Sequence, residues 1–200
     1  MKRDHYILGI GMSAGGLQSV AEFFGILNSG LPLSIVIAAH LQGNFQVKLM
    51  DILADKSDLN VEELVDGSEM VEGTIYVAAA GMELLVEGKL LKVRGQSEDK
   101  RVIDTLFTSM AASVGISSIA MILSGTGNDG VQGLQAISES GGLVLVQEPF
   151  SALYQSLPRL AIKADHPDKI LPPVRMAAWL NKYLASAERA TTGGSTPPAA

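Results

Sequence analysis

Three side chains in this sequence are of the types that acyl-transfer chemistry needs: Ser13, His40 and Asp129. Ser13 lies in Gly11-Met12-Ser13-Ala14-Gly15. That stretch fits G-x-S-x-G, the pattern that exposes a serine on a sharp turn between a strand and a helix. Such a glycine-rich turn also gathers backbone N–H groups at the positive end of the helix, a place for an anion or a developing oxyanion. Taken alone, Ser13 has two other readings. Its hydroxyl could cap the helix that follows. The run Gly9-x-Gly11-x-x-Ala14 also fits the looser dinucleotide fingerprint. That fingerprint asks for an acidic residue at the end of the second strand, where this sequence has Ala39, His40 and Leu41 and no carboxylate before Asp51. The nucleotide reading is weakened accordingly.

His40 is one of three histidines; His5 lies near a terminus expected to fray, and His166 in a proline-flanked loop. Neither is an attractive base. No second histidine or acidic cluster accompanies His40 at ligand spacing, so neither a metal site nor a cofactor is expected. Asp129 lies in Ser124-Gly125-Thr126-Gly127-Asn128-Asp129-Gly130, where an isolated aspartate is usually a turn or cap residue. The joint placement of the three residues, each after a strand, is what raises them.

The elements that must position these groups are readable from apolar runs and glycine or proline punctuation. Strands are expected at about Tyr6 to Ile10, Leu33 to Ala39, Val61 to Val65, Thr74 to Ala79, Ser117 to Leu123 and Leu143 to Gln147, with a hairpin over Glu83 to Val93 turning at Glu87-Gly88. Helices are expected after the glycine turn to about Asn28, with Gly30 as a left-handed cap, and then at Phe45 to Ala54, Val102 to Val114 and Val131 to Ser140. Two more follow, at Tyr154 to Lys163 and Val174 to Ala187. Strands alternating with helices, the strands apolar throughout, imply a doubly wound α/β fold: a mostly parallel sheet with helices on both faces and an antiparallel hairpin. Ligands bind such sheets at the carboxyl ends of the strands, where Ser13, His40 and Asp129 all fall.

Bulk properties narrow the class. Two hundred residues, 47% hydrophobic, suit one domain with a full core. A formal net charge of −6 speaks against a nucleic-acid partner. The apolar runs are strand-length, so no membrane insertion is expected; a cytoplasmic protein is favoured, though the absence of cysteine is equally compatible with the periplasm. One domain is expected over 1–187, with 188–200 a disordered tail rich in Thr, Gly, Pro and Ala.

With these residues in view, the sequence resembles the C-terminal catalytic domain of the CheB-type chemotaxis methylesterases, protein-glutamate methylesterases that also deamidate glutamine. The matching pieces are Ile10-Gly11-Met12-Ser13-Ala14-Gly15-Gly16-Leu17, Ala39-His40-Leu41, Gly73-Thr74-Ile75-Tyr76-Val77-Ala78 and Val102-Ile103-Asp104-Thr105-Leu106-Phe107. Leu123-Ser124-Gly125-Thr126-Gly127-Asn128-Asp129-Gly130, Gln147-Glu148-Pro149 and Leu157-Pro158-Arg159-Leu160-Ala161-Ile162 follow in the same order. The resemblance implies that Ser13 is the nucleophile, His40 the general base and Asp129 its orienting carboxylate, with Ala14 and the Thr126 loop around the oxyanion. It implies a methyl-accepting chemoreceptor-type protein as substrate. The order Ser, His, Asp differs from the Ser, Asp, His of α/β-hydrolases, but triads are defined by geometry.

Two departures are visible. The family has methionine at the position of Thr126, and a proline-containing segment where this sequence has Ala78-Ala79-Ala80-Gly81. Well-known members also carry an N-terminal phosphorylatable receiver domain over the active site, whereas this sequence opens directly at the first catalytic strand. Regulation by a separate protein, or constitutive competence, is the corresponding expectation. The alternatives to an active enzyme are a catalytically idle receptor-binding adaptor and a nucleotide-binding module.

Overall fold

The computed structural model describes residues 5–39, 45–79, 82–96, 101–164 and 166–193. The chain begins with β1 (Tyr6–Met12), α1 (Gly16–Phe24), β2 (Leu33–Ala39), α2 (Phe45–Lys56), β3 (Asn60–Glu63) and β4 (Thr74–Val77). A hairpin of β5 (Met82–Glu87) and β6 (Leu90–Gln96) leads into α3 (Val102–Val114), β7 (Ser118–Ile122) and α4 (Val131–Glu139). The last elements are β8 (Leu143–Gln147), α5 (Ser156–Ala164), β9 (Lys169–Leu171) and α6 (Pro173–Gly193).

Seven strands form one sheet in the order β3-β4-β2-β1-β7-β8-β9, with every pairing parallel. The apolar runs of β4, β7 and β8 are buried at every position, as a sheet covered on both faces requires. The edges are short: β3 is polar and mostly exposed, and β9 has three residues. One face packs against α1, α2 and α6 through Val20, Phe23, Leu49, Met176 and Leu180. The other packs against α3, α4 and α5 through Leu106, Phe107, Met110, Leu134 and Ala161.

The hairpin forms its own antiparallel sheet and caps α3 from outside. Leu84, Val86 and Leu91 enter the α3 core, while Val86 N–H donates to Ser109 Oγ (2.9 Å) and Ser113 Oγ–H donates to Val86 O (2.6 Å).

Several boundaries differ from those read in the sequence. β1 continues through Gly11 to Met12, because these glycines are packing residues and not the start of the turn. A Cβ on Gly9 would lie 2.6 Å from Met110 Sδ, and one on Gly11 would run into Ile103 Cγ2. Only a bare strand lets α3 come this close. α1 ends at Phe24, where Gly25 N–H bonds to Ala21 O (3.1 Å); Gly30, expected to be left-handed, is not among the positive-φ glycines. α5 starts at Ser156, β9 is an additional strand, and α6 runs on past Ala187 to Gly193. His5 is half-buried and hydrogen-bonded to Ser34 Oγ (2.7 Å), not frayed.

Candidate active site

The strand order reverses around β1, which has β2 on one side and β7 on the other. The crevice outside the carboxyl ends of strands at such a reversal is where doubly wound sheets hold ligands. Ser13 is the first residue beyond β1, and the loop from Leu123 to Gly130 follows β7. Met12 is level with Ala39 in the β1–β2 register, and Gly11 with Ile122 in the β1–β7 register. His40, next in the chain after Ala39, lies outside the described residues.

The turn at Ser13 is closed by a hydrogen bond from Gly16 N–H to Ser13 O (3.0 Å). Gly15 has φ 77° and ψ −1°, values that suit the third position of a type II turn and that glycine adopts without strain. Gly15 is also the N-cap of α1, which has no side-chain cap. The capping reading of the Ser13 hydroxyl is thereby removed.

Peptide geometry then fixes a donor. No described peptide is cis, so the unit joining Ser13 to Ala14 has its carbonyl and its N–H on opposite sides. With the Ser13 carbonyl drawn into the turn, the Ala14 N–H is turned out of it, and it has no hydrogen-bond partner among the described residues.

The β7 loop is fastened to this turn. Ser13 N–H donates to Ser124 O (3.1 Å) and Ser124 Oγ–H donates to Ala14 O (2.9 Å). A Cβ on Gly125 would sit 3.1 Å from Ser13 Cβ, so the loop runs directly against the serine before exposing Thr126. The bare side of Gly15 faces Ser124 Oγ, Leu153 Cβ and Tyr154 Cδ2, and is filled by protein. The fingerprint glycines Gly9 and Gly11 lie inside β1, and the space a phosphate would need beside them holds α3 side chains. That arrangement disfavours a dinucleotide site.

Asp129 reaches back to the start of α3. Its Oδ2 accepts from Ile103 N–H and its Oδ1 from Asp104 N–H, both at 2.9 Å. These two backbone bonds fix the orientation of the carboxylate. Asp104 answers by accepting from Gly133 N–H (2.8 Å) near the start of α4. Burial pushes the Asp104 carboxyl up; the Gly133 amide opposes the rise, the neighbouring Asp129 charge adds to it, and Arg101, 3.3 Å away, pulls it down.

Sequence reasoning placed Ser13, His40 and Asp129 at the carboxyl ends of strands; Ser13 follows β1, Asp129 lies in the loop after β7, and His40 falls outside the described residues. That reasoning gave no role to Ser124, Gln147 or Asp104, which tie the loops together. The available signal was a polar residue closing an apolar run, as Ser124 closes Ile119 to Leu123 and Gln147 closes Leu143 to Val146. A cavity of about 280 Å³ lies further along the same edge, between β4 and the hairpin, lined by Leu64, Asp66, Ala78, Met82 and Arg94 among others. Among the described residues, neither Ser13 nor Asp129 lines it.

The CheB methylesterase family model matches residues 8–180. The chain belongs to the CheB methylesterase family. It is 33% identical over 174 residues to a protein-glutamate methylesterase/protein-glutamine glutaminase of Moorella thermoacetica, a match covering 83% of this chain and 41% of that protein. It is 31% identical over 182 residues to the protein-glutamate methylesterase FrzG of Myxococcus xanthus, covering 89% of this chain and 54% of FrzG. The chain thus spans about half the length of the curated relatives it matches. The crystal structure of the Thermotoga maritima CheB methylesterase catalytic domain superposes with a TM-score of 0.81 at 25% identity, covering 89% of this chain and 98% of that domain.

Proposed function

We propose that the chain is a protein-glutamate methylesterase that hydrolyses glutamyl γ-methyl esters on a chemoreceptor-type protein, and that glutamine deamidation is open to the same site. His40 takes the proton of Ser13 as the serine oxygen attacks the ester carbonyl. The oxyanion is received by the Ala14 N–H and the Thr126 loop; one such donor is worth roughly 2.7–4 kcal/mol in studied hydrolases. Collapse expels methoxide, which takes the imidazolium proton and leaves as methanol. Water, deprotonated by His40, then cleaves the glutamyl-enzyme, releases the carboxylate and restores Ser13. Asp129 holds the imidazole tautomer throughout.

The observation that carries this reading is the Ser13 turn. Its hydroxyl is not the cap of α1, and the adjacent Ala14 N–H is turned outward at the strand reversal. Ser13→Ala should abolish methanol release from a methylated receptor; undiminished release would remove Ser13 as the nucleophile. Thr126, where the family has methionine, favours one rival, an adaptor that binds receptors without turnover. Receptor binding with no methanol from the unmodified protein would select it.

On this reading the protein acts in the cytoplasm and binds neither nucleic acid nor cofactor. No helix among the described residues is long and apolar enough to cross a membrane.

A further inference from the structure

The buried polar residues at the ends of β7 and β8 have no role in the reaction as written, and their bonds converge on the nucleophile turn. Ser124 and Gln147 are both fully buried. Ser124 N–H donates to Gln147 Oε1 (2.8 Å), and Ser124 Oγ accepts from Tyr154 N–H (3.0 Å). With its carbonyl on Ser13 N–H and its hydroxyl proton on Ala14 O, every polar group of Ser124 is engaged. Gln147 Nε2 donates to Ser151 O (3.1 Å), which ties the amide to the 3-10 turn Pro149–Ser151.

Three successive peptide units run through the turn, and each is pinned by one bond. The Met12–Ser13 unit is held by Ser124 O, the Ser13–Ala14 unit by Gly16 N–H, and the Ala14–Gly15 unit by Ser124 Oγ. Ser124 thus holds the peptides on either side of the one whose N–H faces outward at Ala14. Rotation of that central peptide, which would swing both the Ser13 side chain and the Ala14 N–H, requires its neighbours to turn.

We infer that Ser124 is the positioning residue of the nucleophile turn, and that Gln147, by orienting Ser124, sets the aim of Ser13 and the Ala14 N–H. The inference rests on the reading of Ser13 as nucleophile. A buried clamp suits this task, because misplacing a reacting group by about 1 Å can cost about 100-fold in rate. Neither residue touches substrate, so substrate affinity should be insensitive to them.

The test uses the full chain with Ser124→Ala, Ser124→Thr and Gln147→Met, the last keeping side-chain length without the amide. Methanol release from a methylated receptor gives kcat and KM, and backbone amide exchange by NMR reads the turn itself. Ser124→Ala and Gln147→Met should lower kcat about 10- to 100-fold, in line with a displaced nucleophile, with KM unchanged within twofold. Both should speed exchange at Ser13 and Gly16, and Ser124→Thr should recover most of the lost rate. A folded Ser124→Ala or Gln147→Met protein with kcat within twofold of the parent overturns the inference. So does unchanged exchange at the turn. If Ser124→Ala does not fold, Gln147→Met decides by the same criteria. A parent protein that releases no methanol removes the esterase reading instead, and the exchange measurement still tests the clamp.

Discussion

Asp129 and Asp104 cap each other's helices. Asp129, at the entrance to α4, accepts the first free amides of α3; Asp104, in the first turn of α3, accepts the Gly133 amide of α4. The residue proposed to orient the catalytic imidazole is therefore also a joint between two helices. Its carboxylate is fixed by backbone before any histidine approaches.

That double duty predicts two separable losses. Asp129→Asn should lower kcat by up to about 10⁴, the scale of the same change in a well-studied serine protease. It should also cost stability on the order of 1 kcal/mol, because an amide NH₂ would oppose one of the two backbone donors. Methanol release and urea midpoints check the two effects in one preparation. A loss of activity with stability intact would show that the capping bonds are dispensable.

Asp104 predicts a dependence on pH. An unfolded chain titrates this carboxyl near 3.8, and burial in the folded chain raises it. The fold therefore holds the Asp104 proton more tightly, a stabilisation present in full below the unfolded value and lost as pH rises through the folded one. Asp104→Asn keeps an acceptor for the Gly133 amide and lacks this titration. Its stability relative to the parent should improve from about pH 3 to about pH 7. Parallel stability curves over that range would count against the assignment.

His5 predicts the opposite slope. Burial lowers its pKa from 6.5, the nearby Glu72 raises it and Lys89 lowers it. Below pH 6.5 an unfolded chain gains a proton that the folded one resists, so stability falls as pH drops through that value towards the folded pKa. His5→Gln should flatten this part of the profile in thermal melts while leaving the activity at neutral pH unchanged.

Gly11→Ala should destabilise the protein by roughly 1–3 kcal/mol, the usual cost of overpacking a tight core. Its Cβ would meet Ile103 Cγ2 and, at 2.9 Å, Ile122 Cδ1. Pairing it with Ile103→Ala, which removes the Cγ2 methyl that the new Cβ would meet, should recover part of the loss. Chemical denaturation of the two single variants and the double variant measures the coupling.

The buried strands and the helices around them were legible because continuous apolar runs between glycines and prolines leave few other readings. The turn at Ser13 was legible for the same reason. Gly11 misled as to where the turn begins: a glycine in a bare strand and a glycine in a turn look alike until the partner helix is in place. β9 was invisible because Lys169-Ile170-Leu171 is too short to show a period. Ser124 and Gln147 read as nothing in particular, since their partners at Ala14, Tyr154 and Ser151 lie on other segments. Asp129 was legible as a candidate carboxylate at a strand end, but not its amide partners, which belong to a helix that begins at residue 102.

On the proposed mechanism, the two layers of helices contribute different halves of the chemistry. Ser13 opens into α1 on one face of the sheet, and Asp129 is bolted to α3 on the other. The sheet between them acts as a spacer of set thickness, and the bare surface of β1 is where that thickness is cut to size. A side chain added at Gly9 would push against Met110 and Phe107 and change the spacing of the proposed nucleophile and its orienting carboxylate without touching either one, so the gauge of the proposed site is kept by residues that take no part in the proposed reaction.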